Sequence, residues 1–235
     1  MIELTKTEVL GWEHAIRGMR NPMNSWSKTD SDWYFVEDES IINPNDEVKF
    51  ILGPNDKDLM IRLRNAGTDH RKFMRMLTVY VDINAPLYWW KEFDTYKVGT
   101  VANSCSTMHK IHAKDFSLND FSHEHLFDGI ENIEGSYDLE YYENPTLALD
   151  YIVYVLNYYR NKFIETKDKR FWWQMIQLLP SSYNQKRTVQ LNYEVLANIY
   201  KSRKNHKLDE WHTFCDWVKE LPYSFLITGE GLEDA

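Results

Sequence analysis

Cysteine is nearly missing: the 235 residues hold two, Cys105 and Cys215. Two thiols cannot form a disulfide framework, and they suit a reducing compartment. No stretch approaches the roughly 20 apolar residues that a membrane span needs. The N-terminal MIELTKTEVLGWEHAIRG contains no apolar core of signal-peptide length. The expectation is a cytoplasmic protein with no membrane partner. Positive charge is also short, with 27 basic residues against 36 acidic and a net charge of −9. Duplex binders rely on basic surface to hold phosphates, so nucleic acid is excluded as the main partner. A small anionic ligand is not excluded, because it needs only a local basic pocket.

Several motifs are absent as well. The chain has no Walker-type loop, no G-x-G-x-x-G and no G-x-S-x-G. His109 and His112 lie three apart, and His123 and His125 two apart around Glu124, but no Cys-x-x-Cys or His-Glu-x-x-His accompanies them. No metal is expected. Internal repeats, low-complexity tracts and Pro/Gly/Ser linkers are lacking too, so residues 1–235 read as one domain.

What is plentiful is aromatic side chain, 15% of the chain, with nine Trp and fifteen Tyr in a composition that is 43% hydrophobic. A chain of this size and composition buries a substantial core. Tyr and Trp also favour interfaces and ligand pockets, since each joins an apolar body to a polar tip.

A coarse pass predicts a helix over 8–19, then a polar loop from Arg20 to Asp32. A helix opens at Pro54-Asn55-Asp56 and is closed by Gly67. Met74 to Ile83 reads as a strand, Ala85-Pro86 as the start of a helix, and 98–107 (VGTVANSCST) as a loop. Asn144-Pro145 caps a helix with Leu149, Ile152, Leu156, Tyr159 and Phe163 at helical spacing. Another carries Trp172, Met175, Ile176 and Leu179 up to Pro180. A third runs from about Arg187 through Leu191, Val195, Ile199 and Ser202, and a last one covers Leu208 to Leu221. One or two early strands and a helical majority give a mixed α/β (α+β) domain with a small central sheet.

Two segments, residues 85–107 and 179–211, together resemble the flavin-dependent thymidylate synthases. The family opens its signature helix with Ala-Pro and follows it with Arg-His-Arg, two residues and Ser. Later come Leu-Pro, Asn-x-Arg and a nucleotide-gripping Leu-Arg. Here Ala85-Pro86, Leu179-Pro180, Asn192 and Arg203 keep that spacing without a gap, and the signature helix should end at Lys97. The departures are specific. Thr95-Tyr96-Lys97 replaces Arg-His-Arg, Thr100 replaces the Ser, and Glu194 replaces the arginine of Asn-x-Arg. Ile176 stands at a phosphate-holding arginine, and Asn103, Cys105 and Thr107 stand for the Glu-x-Ser-x-Arg tail.

The resemblance implies a thymidylate synthase complementing-protein-like domain acting as a homotetramer. It implies a methyltransferase that moves a methylene unit from methylenetetrahydrofolate to dUMP, with FAD as relay and NADPH as reductant. It assigns the catalytic role to Arg203. Lys97, Thr100, Asn103, Ser104, Cys105, Ser106, Thr107 and Arg203 would bind the nucleotide, and Thr95, Tyr96, Lys97 and Asn192 the flavin. The residue chemistry is compatible: the hydroxyls and amide of 103–107 can read a pyrimidine edge, and Lys97, Arg203 and Lys204 can face a phosphate. Each residue also has a plain reading. Arg203 suits a solvated helix end, Asn192 a polar helix face, Trp89-Trp90 a core, and Cys105 a buried inert thiol. Two other functions fit the composition: a relative that modifies or only binds a pyrimidine nucleotide, and a non-catalytic interaction module.

Overall fold

A computed structural model describes residues 2–35, 48–127 and 144–231. Strand β1 (Glu3–Leu10) leads into helix α1 (Trp12–Arg20). The helix expected from residue 8 therefore begins later, because Glu8 to Leu10 belong to the strand. Gly11 makes the corner at φ +99°, and a Cβ there would lie 2.2 Å from the Met76 carbonyl oxygen. Only glycine fits such a left-handed, crowded turn.

Strands β2 (Asp32–Phe35) and β3 (Val48–Ile51) pair antiparallel, with Asp32 opposite Ile51 and Tyr34 opposite Lys49. Helix α2 (Pro54–Asn65) starts and stops as the Pro54 and Gly67 signals predict, and buries Leu59 and Met60. The expected strand at 74–83 is displaced. Arg71–Arg75 forms a 3-10 turn, and β4 spans Thr78–Pro86, burying Val79, Val81, Ile83 and Ala85 in alternation. Helix α3 (Leu87–Phe93) ends well before Lys97. The Thr95 hydroxyl turns back onto the Glu92 carbonyl at 2.7 Å, a local bond that competes with helix continuation.

Within the expected loop lies a strand, β5 (Val101–Ser104), all four residues exposed. It shows no apolar alternation, so nothing in its sequence distinguishes it from loop. Helix α4 (Pro145–Thr166) is capped as predicted: the Asn144 side chain accepts the Thr146 and Leu147 amides at 2.9 and 3.1 Å. Helix α5 (Lys169–Leu178) follows it. The helix expected from Arg187 is a strand for its first six residues. Strand β6 covers Asn184–Asn192, and helix α6 begins at Tyr193 and ends at Arg203. Gln185, Val189 and Leu191 are the buried positions of β6, two or four apart, which is the period of a strand. Helices α7 (Asp209–Glu220) and α8 (Phe225–Thr228) complete the chain's described elements.

The main sheet has the order β1-β4-β6-β5. Helices outweigh strands, so the mixed α/β class holds, although β6 falls in the half expected to be purely helical. By contacts the chain forms two compact units, to both of which β4 and β6 contribute residues. One unit takes Met1–Thr5, Asp82–Thr95 and Ala102–Thr188. Its core groups Ile111, Phe116, Phe121, Leu149, Leu156 and Met175, with Ile152, Tyr159, Phe163 and Trp172 packed against them, which are the faces the helical spacing predicted. The other takes Lys6–Val81, Tyr96–Val101 and Val189–Ala235, and buries Trp12, Phe73, Leu77, Tyr193, Leu196, Trp211 and Phe214. Among the described residues no helix is long and apolar enough to cross a membrane.

Candidate functional site

The second unit contains a cavity of about 250 Å3 bordered by Arg75, Thr78, Gly99, Thr100, Gln190 and Asn192. Thr100 and Asn192 were singled out from sequence, and the fold brings them to one place. Asn192 is not on a helical face. It precedes α6 and caps it, its Oδ1 accepting the Val195 amide at 3.0 Å. Gly99 lets the loop approach: at φ +79°, a Cβ there would sit 3.1 Å from the Asn192 Nδ2 and from a Val195 methyl. The Thr100 hydroxyl oxygen is buried and has no hydrogen-bond partner.

Along α6 from this cavity, Arg203 meets Tyr96. The Arg203 Nε donates to the Tyr96 hydroxyl at 2.9 Å. Its guanidinium carbon lies 5.6 Å from the Tyr96 ring centre and 4.8 Å from that of Trp211. Arg203 is therefore held against two aromatic rings and is not a freely solvated helix end, which lowers the entropic cost of presenting it to a ligand. Tyr96 is committed to that same contact.

Glu194, which replaces the arginine of Asn-x-Arg, is paired. That carboxylate is buried and lies 2.8 Å from the Arg71 Nε, so its charge is locally balanced. Arg75, on the cavity wall, adds a cation.

The remaining candidates are distributed differently. Lys97 is exposed, with its carbonyl accepting the Thr100 amide at 3.4 Å. Thr95 closes α3. Asn103 and Ser104 stand exposed on β5, in the first unit. The Ser106 hydroxyl accepts the His109 amide at 2.9 Å, so it caps a turn, and Thr107 beside it is half-buried. Cys105 is exposed, against the expectation of a buried inert thiol. Its backbone is clamped to β6: its amide donates to the Lys186 carbonyl at 2.9 Å, and its carbonyl accepts the Gln185 Nε2 at 2.8 Å. The inert thiol is Cys215, where burial pushes the pKa up to about 11.

Trp89 and Trp90 are core residues with 0% and 1% exposure, so neither offers a face to a ligand. The Trp90 Nε1 donates to the Gln185 carbonyl at 2.9 Å, and the Arg187 guanidinium lies 4.1 Å over its ring. Among the described residues no group of three or more His, Cys, Asp or Glu is gathered to hold a metal.

Sequence reasoning missed Arg71, Arg75, Thr78, Gln190 and Trp211. Two of these carried a usable signal. Thr78 and Gln190 are the polar partners of buried Val79 and Val189, so strand alternation turns them away from the core.

No protein-family model matches the sequence, and no curated protein does. Solved structures do match. A thymidylate synthase from Helicobacter pylori, crystallised with FAD and dUMP, aligns over 97% of this chain and 98% of its own, with 15% identity and a TM-score of 0.63. A second crystal structure of the flavin-dependent enzyme from that organism, complexed with the same two molecules, gives 16% identity and 0.62 over the same shares. A UMP/dUMP methylase from Streptomyces cacaoi, bound with 5-Br dUMP, covers 95% of this chain and 92% of its own, at 11% identity and 0.59. The chain has the fold of the flavin-dependent thymidylate synthases.

Proposed function

We propose that this protein is a cytosolic, flavin-dependent methyltransferase that converts dUMP to dTMP. The observation that carries the reading is the cavity joining Thr100 to Asn192. One residue comes from each of the two sequence segments that resemble the family, and the shared fold brings them together.

The chemistry of the residues at this cavity suits one polar portion of a flavin dinucleotide, and the cavity's volume of about 250 Å3 is smaller than the whole molecule. Among the described residues the cavity is bordered by a cation, the Thr78 hydroxyl and two amides and by no carboxylate, while Glu194 is balanced by Arg71. Arg75, Thr100 and Asn192 would hold the flavin, with Tyr96 and Thr95 supporting the loop beside it. When bound, the flavin supplies one-carbon relay and redox chemistry that no side chain provides. The chain's own part is positioning. Arg203, fixed against Tyr96 and Trp211, presents a guanidinium of fixed orientation to the nucleotide, and Lys97 adds charge. Thr100 borders the same cavity, in the second unit. Methylenetetrahydrofolate would donate the carbon and NADPH the electrons. A homotetramer would complete the site, as the resemblance implies.

One observation favours a second reading, in which another pyrimidine nucleotide is the substrate. Ile176 and Thr107 occupy positions where the resemblance places nucleotide-gripping arginines, so nucleotide selection in this chain rests on different residues.

The test is a thermal shift of the purified protein with dUMP and FAD, separately and together, followed by an assay for dTMP with both co-substrates. A ligand at a hundred times its Kd stabilises by about 2.7 kcal/mol. For a chain of this size that raises Tm by roughly 5–10 °C. No shift with either ligand at millimolar concentration would refute the reading. A shift with dUMP but none with FAD, and no dTMP, would reduce it to nucleotide binding.

A further inference from the structure

Helix α4 has two apolar faces, and the core of its unit covers one of them. Leu149 and Leu156 are buried there, and Ile152, Val153, Tyr159 and Phe163 pack against the same cluster. At about 100° per residue, the opposite side of the helix carries Leu147, Tyr151, Tyr154 and Tyr158 within an arc of about 60°. These four are exposed by 38, 67, 66 and 49%. The Tyr151 and Tyr154 rings stack on each other at 6.4 Å.

A single exposed tyrosine is ordinary, but four large side chains in one line mark an interaction surface. The protein holds 36 acidic and 27 basic residues, yet this line is uncharged from Leu147 to Tyr158, with Asp150 at its margin. Arg160 is turned away from it, donating to the His112 carbonyl and pairing with Asp115. Charge returns only beyond the end of the line, where Lys162 and Glu165 pair with one another. Tyrosine-rich surface depleted of charge has the composition of an interface centre.

The intervals of four, three and four are those of an a/d seam between packed helices. They also read the same in both directions. Two α4 helices laid antiparallel therefore set Tyr151 against Tyr154 of the second copy, and Leu147 against its Tyr158. Each contact then occurs twice about a two-fold axis, as in an isologous dimer, and the antiparallel helix dipoles attract. Leu126 and Phe127, both exposed, lie at the N-terminal end of α4, where the Phe127 carbonyl accepts the Thr146 hydroxyl at 2.8 Å. At about 200 Å2 per large side chain, the exposed portions of these six residues come to about 500–600 Å2 per copy. A pair would bury about 1,000–1,200 Å2, enough for a specific interface of the smaller kind.

We propose that two copies of this chain associate through α4, antiparallel, with Leu147, Tyr151, Tyr154 and Tyr158 as the seam. Helix α4 lies outside the two segments that carry the family resemblance, and the seam does not depend on the reaction proposed above.

The experiment measures the mass of the full chain by sedimentation velocity across a micromolar concentration range, with circular dichroism to show that each variant is folded. The native protein should weigh an even multiple of the monomer. Y151K/Y154K and Y151E/Y154E should each halve that mass, because like charges meet across the two-fold axis. Mixing the two should restore it. Y34S, which removes an exposed tyrosine on β2, should leave it unchanged. For the orientation, L147C/Y158C in a C105S background should give a disulfide-linked dimer on oxidation. L147C/C105S should not, since two Leu147 positions would lie about 16 Å apart along the seam and a disulfide needs Cα atoms within about 7 Å. Should the charged variants not fold, Y151S/Y154S carries the mass comparison.

Native mass in both charged variants would overturn the seam and leave the function proposed above standing. Halved masses that mixing does not restore would also overturn it, because the stripe would then meet a different surface. A disulfide-linked dimer of L147C/C105S would overturn the antiparallel register. A native protein that sediments as a monomer throughout would overturn both the seam and the tetramer, while the assay for dTMP decides the reaction separately.

Discussion

Replacing Arg203 by alanine distinguishes a fixed guanidinium from a solvated one. The side chain donates from Nε to the Tyr96 hydroxyl at 2.9 Å and lies over Tyr96 and Trp211 at 5.6 and 4.8 Å. A hydrogen bond of this kind contributes about 0.5–1.5 kcal/mol, and a cation over a partly desolvated ring about 0.5–2 kcal/mol. R203A should therefore destabilise the fold by roughly 1–3 kcal/mol, lowering Tm by about 3–10 °C for a chain of this length. A solvated helix end would change stability by no more than about 0.5 kcal/mol. Tyr96→Phe keeps the ring and removes only the hydroxyl. A double-mutant cycle measured by urea unfolding should return a coupling of about 0.5–1.5 kcal/mol between the two. In the same variants, dUMP affinity should fall about ten- to a hundredfold for R203A and little for Y96F, because the proposed function gives the nucleotide contact to the arginine alone. Additive stabilities, with R203A melting within about 2 °C of the native protein, would refute the fixed-guanidinium argument.

Asp56 and Arg20 give a prediction in pH. Asp56 is fully buried; burial alone would raise its pKa, but hydrogen bonds from Ser31, Thr29, the Asp30 amide and Arg20 hold it below 3.8. Its contribution to stability is full above the ordinary carboxylate value and is lost as pH falls through the lowered one. D56N should cost about 3–5 kcal/mol at neutral pH by leaving buried Arg20 without its counter-charge, and its stability should fall less steeply than the native protein's below about pH 4. An unchanged acid limb in a denaturation series would contradict this. Gly99→Ala forces an alanine to φ +79° with its Cβ 3.1 Å from Asn192 and Val195. A loss of about 1–3 kcal/mol and weaker binding of any ligand of that cavity are expected; native-like melting and titration would show that the loop does not need glycine there.

Sequence alone determined what depends on nearest neighbours along the chain. Helices α2, α4 and α5 were legible from local signals, a helical spacing of apolar residues in α4 and α5 and end signals such as Asn144-Pro145 or Pro54 with Gly67. The mixed α/β class was legible for the same reason. Thr100, Asn192, Tyr96 and Arg203 were picked out by the family resemblance of two segments, and the fold sets Thr100 and Asn192 on one cavity and Arg203 against Tyr96. Tertiary structure decided the rest. Residues 187–192 look helical when read with α6, yet they pair in the sheet, and pairing with a distant strand leaves no local trace beyond the alternation of Val189 and Leu191. Strand β5 is exposed on both faces, so no apolar pattern records it. Neither Arg71 opposite Glu194 nor Arg75 beside Thr100 has a spacing in sequence, because those neighbours come from separate segments. The charge at that cavity is thus a property of folding distant residues together.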